Sequence, residues 1–183
     1  MYISNFFKHL HRVNKHKWLV FKLCVKAGIP FRGLMHDLSK YSPSEFFESV
    51  KYFNERSPIS KSKKINGYSK AWLHHKGRNK HHFEYWYDFN TELKTALIPY
   101  KYTVEMICDT LAASMVYNGK NWNADTNLEY FLNRKDLDYI NPKIKDILIE
   151  VYTLIRDEGI DKVINKKRLK EIYYRHVNKE KSN

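Results

Sequence analysis

Apolar residues recur at helical spacing along almost the whole chain, and this periodicity restricts the fold more than any other feature. Glycine-rich phosphate loops, internal repeats and alternating strand runs do not occur in the sequence. The pattern predicts an all-α fold, and 183 residues suit one helical domain over 1–183. The first segment shows the periodicity best, with steps of three, four or seven residues between its apolar positions: Phe6, Leu10, Val13, Val20, Cys24 and Ala27.

Turn-forming residues divide the chain into helices. Gly28-Ile29-Pro30 ends the first helix, and Ser42-Pro43-Ser44-Glu45 has the form of a capping box with proline at the first helical position. Residues 55–69 carry turn formers and charge without periodicity, which predicts a mobile surface loop able to close over a site. Further helices are predicted to begin near Lys70 and to cover 102–117, 125–133, 141–159 and 161–178.

Basic residues exceed acidic ones by 33 to 20, which gives a formal net charge of +13. The excess is densest over 61–80 and over 162–181, so a basic C-terminal tail is expected. Such a surface attracts polyanions, including nucleic acid, but it is equally typical of a solvated, lysine-rich exterior. The charge by itself leaves both interpretations open.

The cysteines and the apolar runs indicate a compartment. Cys24 and Cys108 each stand in apolar sequence and form no Cys-x-x-Cys motif, as expected of buried thiols in a reducing environment. The first 17 residues carry no uninterrupted apolar stretch with a cleavage site, and no segment is apolar enough to span a membrane. A cytoplasmic protein without a membrane partner is therefore expected.

Histidine is concentrated at the start of the chain, where eight of nine histidines precede residue 83. His36-Asp37 joins two good ligands for divalent metals. His16 lies on the core side of the first helix, where a metal ligand is favoured over a hydrogen-bonded core histidine; His9, near the same stripe, is the substitute. Asp109 stands in a helix apolar on nearly every face, and a buried carboxylate needs a metal or an ion-pair partner such as lysine.

A second histidine-rich segment runs from Trp72 to His82. Its histidines form two pairs seven residues apart, His74 with His81 and His75 with His82, which share a helix face unless Gly77 breaks the helix. One pair is a candidate for a second metal ion. The alternatives are a phosphate-binding group drawn from His75, Arg78, Lys80 and His82, and a basic surface cluster. The aromatic residues that follow, Phe83, Tyr85, Trp86 and Tyr87, are favoured as core residues over nucleobase stacking.

A first-helix histidine, a His-Asp pair 20 residues later and a distal aspartate resemble the signature of the HD-domain metal-dependent phosphohydrolase superfamily. More narrowly, residues 9–117 are similar to a small HD-like family of unassigned activity. The motifs that carry this likeness are His16-Lys17-x-x-Val20, the run from His36-Asp37-Leu38-Ser39-Lys40-Tyr41 to Phe46, Asn79-Lys80-His81-His82 and Tyr85-Trp86. The resemblance implies an all-α HD-like bundle.

The resemblance also implies a site. One divalent ion (Mn, Fe, Co, Mg or Zn) would be held by His16, His36, Asp37 and Asp109, and a second ion would add His75 and His82. Asp37 would also act catalytically. Lys40 would either reach the substrate phosphate or remain a solvated lysine. The residues expected to bind substrate are Arg78, Lys80 and His81.

The expected function is a metal-dependent phosphohydrolase, either a phosphomonoesterase or a phosphodiesterase. Its partner would be a phosphorylated small molecule, in particular a nucleotide, attacked by metal-activated water. Two alternatives stay open at this point. One is a di-iron oxygenase on the same scaffold, and the other is a non-catalytic basic helical module that binds nucleic acid.

Overall fold

The structure, a computed structural model, describes residues 2–54 and 57–178. Within these ranges the chain is all-α, as predicted, and folds into a single compact domain. Four short 3-10 helices join the α-helices, and the described residues contain no β-strand, only one isolated antiparallel bridge between Tyr87 and Thr95. The α-helices are α1 (Tyr2–Lys26), α2 (Pro30–Met35), α3 (Pro43–Lys51), α4 (Pro58–Asn66), α5 (Lys70–Arg78), α6 (Tyr100–Asn118), α7 (Thr126–Leu132), α8 (Pro142–Glu158), α9 (Ile160–Val163) and α10 (Lys166–Asn178).

Two long helices, α1 and α6, pack against each other at the centre of the domain. The stripe predicted on α1 is buried at Val13, Val20 and Cys24, and α6 is buried over residues 103–108 and again at Leu111 and Ala112. Helix α8 closes the core from the other side with α7 and α10. None of the described helices is long and apolar enough to cross a membrane.

The prediction of a loop over 55–69 is wrong for most of this segment, because residues 58–66 form α4. The Oγ of Ser57 accepts a hydrogen bond from the backbone N–H of Ser60, Pro58 occupies the first turn, and Gly67 ends the helix with φ +78°. The helix is nearly all polar, so periodicity does not reveal it. Its buried residues are Pro58 and Ser62, and Ser62 donates to the carboxylate of Glu48. Residues 55 and 56 lie outside the described residues.

The C-terminal helix is also divided where one continuous helix was predicted. Helix α9 ends at Val163, and the Oδ1 of Asn165 accepts from the backbone N–H of Arg168 at the start of α10. Leu169, Ile172 and Tyr173 then anchor α10 in the core. Residues 179–183, the end of the predicted basic tail, lie outside the described residues.

Gly33 allows α2 to cross α1 closely. A Cβ at this position would lie 2.6 Å from the Cβ of Cys24 and 3.0 Å from the Cα of Phe21. Because α2 leads directly into His36, we expect Gly33→Ala to lower the free energy of unfolding by about 1 to 3 kcal/mol and to weaken metal binding. Urea unfolding measures the first effect. Gly77→Ala is the matched control: Gly77 is helical with open space around its Cα, so this change should stabilise the protein slightly.

Candidate metal centre

The turn after α2 sets the position of the His-Asp pair. Asp37 has φ +51°, a left-handed conformation that is uncommon for a residue with a side chain and that recurs at functional sites. The ammonium of Lys17, on α1, donates hydrogen bonds to the carbonyl oxygens of Leu34 (2.6 Å) and His36 (2.8 Å). These contacts cap the end of α2 and hold the backbone of the pair against α1.

A first group of ligand atoms comes from three parts of the chain: α1 supplies His16, the turn supplies His36 and Asp37, and α6 supplies Asp109. The Nε2 of His16 is 3.0 Å from Oδ1 of Asp109, and the Nε2 of His36 is 3.2 Å from Oδ2 of Asp37 and 3.5 Å from Oδ1 of Asp109. These four residues are the ones that the sequence predicts as metal ligands. The structure brings them all together.

A second group shares Asp37 and adds His75, His81 and His82. The Oδ1 of Asp37 lies 3.3 Å from Nε2 of His75 and 3.4 Å from Nε2 of His81. Asp37 therefore turns one oxygen toward each group. His75 and His82 lie where a second ion was expected, but His81, expected to bind substrate, is 1% exposed and belongs to the group itself.

The helical pairing predicted for the histidine segment does not occur. Helix α5 ends at Arg78, and Asn79 is extended, so His81 and His82 reach the centre from the turn that follows. His74, which was predicted to share a helix face with His81, lies outside both groups.

Glu105 braces two of the imidazoles from behind. Its Oε1 is 3.1 Å from Nδ1 of His36 and 3.4 Å from Nδ1 of His81, while its Oε2 accepts from Arg32. An imidazole whose Nδ1–H donates to a carboxylate presents Nε2 to a metal. Glu105 also forms a third candidate group with these two histidines. Because Arg32 already neutralises the carboxylate, we interpret Glu105 as an orienting group.

Glu45 braces His75 in the same way. Its two oxygens lie 2.8 Å from Nδ1 of His75 and 2.6 Å from Nδ1 of His74. Helix α3 begins at Pro43 as predicted, but the capping box predicted at Ser42 does not form. The Ser42 side chain caps no backbone N–H, and Glu45 is buried against the histidines.

Lys40 lies beside the shared aspartate, with Nζ 2.5 Å from Oδ2 of Asp37. Its side chain is 28% exposed, so Lys40 is ion-paired and partly solvated, and its contact with a substrate phosphate stays a prediction. Burial opposes its charge, but Asp37 and Asp109 raise the pKa of Lys40 above its usual range. The ammonium stays charged at the edge of the centre.

The electrostatics of the centre favour the binding of positive charge, because its carboxyl groups are ionised. Burial opposes the ionisation of Asp37 and Asp109, yet the surrounding imidazoles hold the pKa of both carboxyls well below the usual range, and Lys40 adds to this effect at Asp37. Burial lowers the pKa of His16 and, far more, that of His82, so both imidazoles are neutral, the form that binds metals.

The donor set fits a metal ion. Several buried atoms that face one another make no hydrogen bond of ordinary geometry among the described residues: Nε2 of His36, His81 and His82, and Oδ1 of Asp37. Buried polar atoms are normally hydrogen-bonded, so such a set calls for a common partner. Two ligand atoms that share an ion at about 2.1 Å lie about 3.0 to 3.4 Å apart, close to the separations described above. The centre can hold a metal ion.

The structure places other predicted residues away from the centre. Arg78 and Lys80 are exposed, and the ammonium of Lys80 lies over the ring of Tyr85, so their role in substrate binding stays a prediction. Of the aromatic residues predicted as core, Phe83 is buried and Trp86 packs against the core, but Tyr85 is exposed, so the prediction is wrong for Tyr85.

Glu45 and Glu105 are the residues that the sequence analysis missed. Glu105 stands four residues before Asp109, one helical turn away on the same buried helix, and this spacing is the signal that could have revealed it. No such signal pointed to Glu45, because its position three residues after Ser42 is already explained by a capping box.

His9, the substitute ligand, packs against Phe46 and Phe53 instead of joining either group. Burial, then Lys40 and Arg12, lower the pKa of His9 to about 4 from 6.5. Between pH 6.5 and 4 the unfolded chain binds a proton there that the folded chain does not, so acidification destabilises the fold. We expect the titration of this residue to lower the free energy of unfolding by up to about 3 kcal/mol over that range. Urea unfolding at several pH values should show a weaker pH dependence for His9→Gln, whereas exposed His11→Gln should follow the wild type.

A cleft of about 1230 Å³ opens from one side of the centre. Asp109, His81 and His82 form its inner end, and residues of α4, α6 and α7 form its walls. Helix α4, where a mobile loop was predicted, is thus a wall of this cleft. The ligand groups are in this way accessible from a space large enough for a small organic molecule.

Comparison with known proteins gives a family and no activity. No curated protein and no solved structure matches the chain. The model of one family, described as "Family of unknown function (DUF5662)", matches residues 5–154, which include both groups of ligand atoms. The chain therefore belongs to this family of unknown function.

Proposed function

We propose that this protein is a metal-dependent phosphohydrolase that acts on a phosphate ester of a nucleotide-like molecule. The observation that carries the proposal is the position of Asp37, which turns one oxygen to each of two histidine-containing ligand groups at the end of an open cleft. A carboxylate in that position can bridge two ions. The resemblance of His16, His36-Asp37 and Asp109 to the HD-domain signature supports the same function.

The residues divide the work as follows. His16, His36, Asp37 and Asp109 would hold one divalent ion, and His75, His81 and His82 would hold a second together with Asp37. Bound ions of this kind supply hydroxide from water near neutral pH and neutralise charge on a phosphoryl group. Asp37 would orient the attacking water, and Lys40 would offer a cationic donor to a phosphate oxygen beside it.

The experiment begins with the metal content of protein purified without a chelating tag or added metal. Hydrolysis of p-nitrophenyl phosphate and bis-p-nitrophenyl phosphate is then measured with Mn, Co, Mg, Fe and Zn. Stoichiometric metal and metal-dependent release of p-nitrophenol support the proposal, and the better of the two substrates separates a monoesterase from a diesterase. Protein that retains no metal after reconstitution, and that binds nucleic acid with a steep salt dependence, would instead be a non-catalytic basic module.

A di-iron oxygenase is the second candidate, favoured by the number of imidazoles. Five histidines converge on two aspartates, and imidazole is a ligand well suited to iron. This candidate predicts a coloured iron protein that consumes oxygen and releases no phosphate. The ammonium of Lys40 beside the centre favours an anionic phosphate substrate, which is why we rank the phosphohydrolase first.

A further inference from the structure

The first 36 residues of the chain contain seven lysines and arginines and no acidic residue. Four of these cations contact carbonyl oxygens or carboxylates elsewhere in the protein: Arg12, Lys17, Lys26 and Arg32. The other three are exposed and form no ion pair within the described ranges: Lys8, Lys15 and Lys22. They lie seven residues apart, so they form one row along α1. This row presents positive charge to the solvent.

A second apolar stripe runs along α1 beside the lysine row, on a face that the core does not cover. Its members recur at helical spacing: Ile3, Phe7, Trp18, Phe21 and Val25. All of them are exposed except Phe21, which is partly buried. The ring of Phe21 stacks on that of Trp18 at 5.6 Å, and the ammonium of Lys22 lies 5.7 Å from the centre of the Trp18 ring. The apolar stripe and the charged row therefore adjoin.

Helix α2 widens this apolar surface. It packs on α1 through Gly33, which lies against the backbone of Phe21. On one side of α2, Arg32 pairs with Glu105 of α6. Leu34 stands about 200° further around the helix, so it lies on the side away from α6. The exposed apolar residues of α2 are Phe31, Leu34 and Met35. Together with the stripe on α1 they form a large apolar surface bordered by lysines, which is typical of an interaction site.

The charge of this surface indicates what covers it. A second copy of the chain would place the same basic surface against itself, without an acidic residue from the first 36 positions to compensate it. A nucleic acid would neutralise the lysines, but interfaces with nucleic acid are polar, and this surface presents large apolar side chains. An anionic lipid surface suits both parts: its headgroups attract lysines, and aromatic and aliphatic side chains enter the boundary between headgroups and acyl chains.

We propose that α1 and α2 bind the surface of an anionic lipid bilayer. Trp18, Phe31 and Leu34 enter the interface, and Lys8, Lys15 and Lys22 contact the lipid headgroups. The expectation of no membrane partner considered only segments that span a membrane, whereas a helix that lies in the interface need not cross it. The inference does not depend on the proposed function, because His16 projects from another face of α1, toward Asp109.

Co-sedimentation of the untagged full chain with lipid vesicles tests the charged row. One set of vesicles contains phosphatidylcholine alone, and the other contains equal amounts of phosphatidylcholine and phosphatidylglycerol. We expect binding to the mixed vesicles that weakens as salt rises, and little binding to phosphatidylcholine. Replacing Lys8, Lys15 and Lys22 by glutamine should lower the partition coefficient by about tenfold or more. The control removes three exposed lysines from other helices, Lys61, Lys64 and Lys170, and should bind as the wild type does.

Two further variants test the apolar surface. Trp18→Ser combined with Phe31→Ser should lower the partition coefficient by about tenfold or more. Phe89→Ser, which changes an exposed aromatic residue of a loop, should leave it unchanged. Mixed vesicles should also shift the tryptophan fluorescence of the wild type to shorter wavelength. Trp18→Phe should remove most of this shift while it keeps most of the binding, because Trp18 is the tryptophan on this surface.

Several results would overturn the inference. Absence of binding to the mixed vesicles would do so, as would equal binding by the lysine variant and the wild type. A dimer in analytical ultracentrifugation that Trp18→Ser with Phe31→Ser converts to a monomer would assign the surface to a second copy. Binding of an oligonucleotide that only the lysine variant loses, without vesicle binding, would assign it to nucleic acid. None of these measurements involves metal or hydrolysis, so such a failure leaves the proposed phosphohydrolase function standing.

Discussion

Asp37→Asn is expected to lose nearly all bound metal and all metal-dependent hydrolysis. Each oxygen of Asp37 faces a different group of ligand atoms, so one substitution removes a ligand from both. The amide keeps the size of the side chain but has no negative charge. We expect stoichiometric metal in the wild type and less than about a tenth of it in the variant, measured by elemental analysis of the purified proteins.

The control for Asp37→Asn is Asp157→Asn, which changes an exposed aspartate paired with its neighbour Arg156. This variant should keep its metal, and circular dichroism should show helical spectra for both proteins. Retention of full metal by a folded Asp37→Asn would contradict the bridging role. Loss of one metal ion of two would mean that Asp37 serves a single group.

Glu105→Ala is expected to have the second-largest effect, on both stability and metal affinity. Glu105 is 1% exposed, and although burial opposes its ionisation, the neighbouring imidazoles of His36 and His81 lower its pKa to about 2. Its removal leaves the guanidinium of Arg32 unpaired in a partly buried place, which should cost about 3 to 5 kcal/mol of unfolding free energy. It also frees two imidazoles to rotate, which should weaken metal binding by about 10- to 100-fold.

Glu105→Gln separates the two effects. The amide oxygen can still accept from one imidazole, so folding should be recovered more fully than the orientation of both histidines. Competition with a fluorescent chelator measures the affinity, and urea unfolding measures the stability. Metal affinity equal to that of the wild type in both folded variants would show that Glu105 has no positioning role.

The sequence prediction agrees best with the structure where the sequence signal is local. The stripe of α1, the ends marked by Gly28 and Pro43, and the apolar run of α6 all reflect side-chain periodicity and backbone preference, which act within a few residues. Helix α4 was not predicted because it buries little apolar surface and so shows no apolar periodicity. Its caps at Ser57 and Gly67 were its main signal.

The sequence by itself determined the all-α fold and the four residues of the first ligand group, because a histidine on a core face, an adjacent His-Asp pair and an acid in an apolar helix each need a buried partner. Only the tertiary structure decided that His81 faces Asp37 and that Glu45 and Glu105 hold the imidazoles. These contacts join residues from 24 positions apart, as for His81 and Glu105, to 69 positions apart, as for His36 and Glu105. Side-chain periodicity reports which face of a helix is buried, whereas the packing of α1, α3, α5 and α6 decides which buried groups meet there.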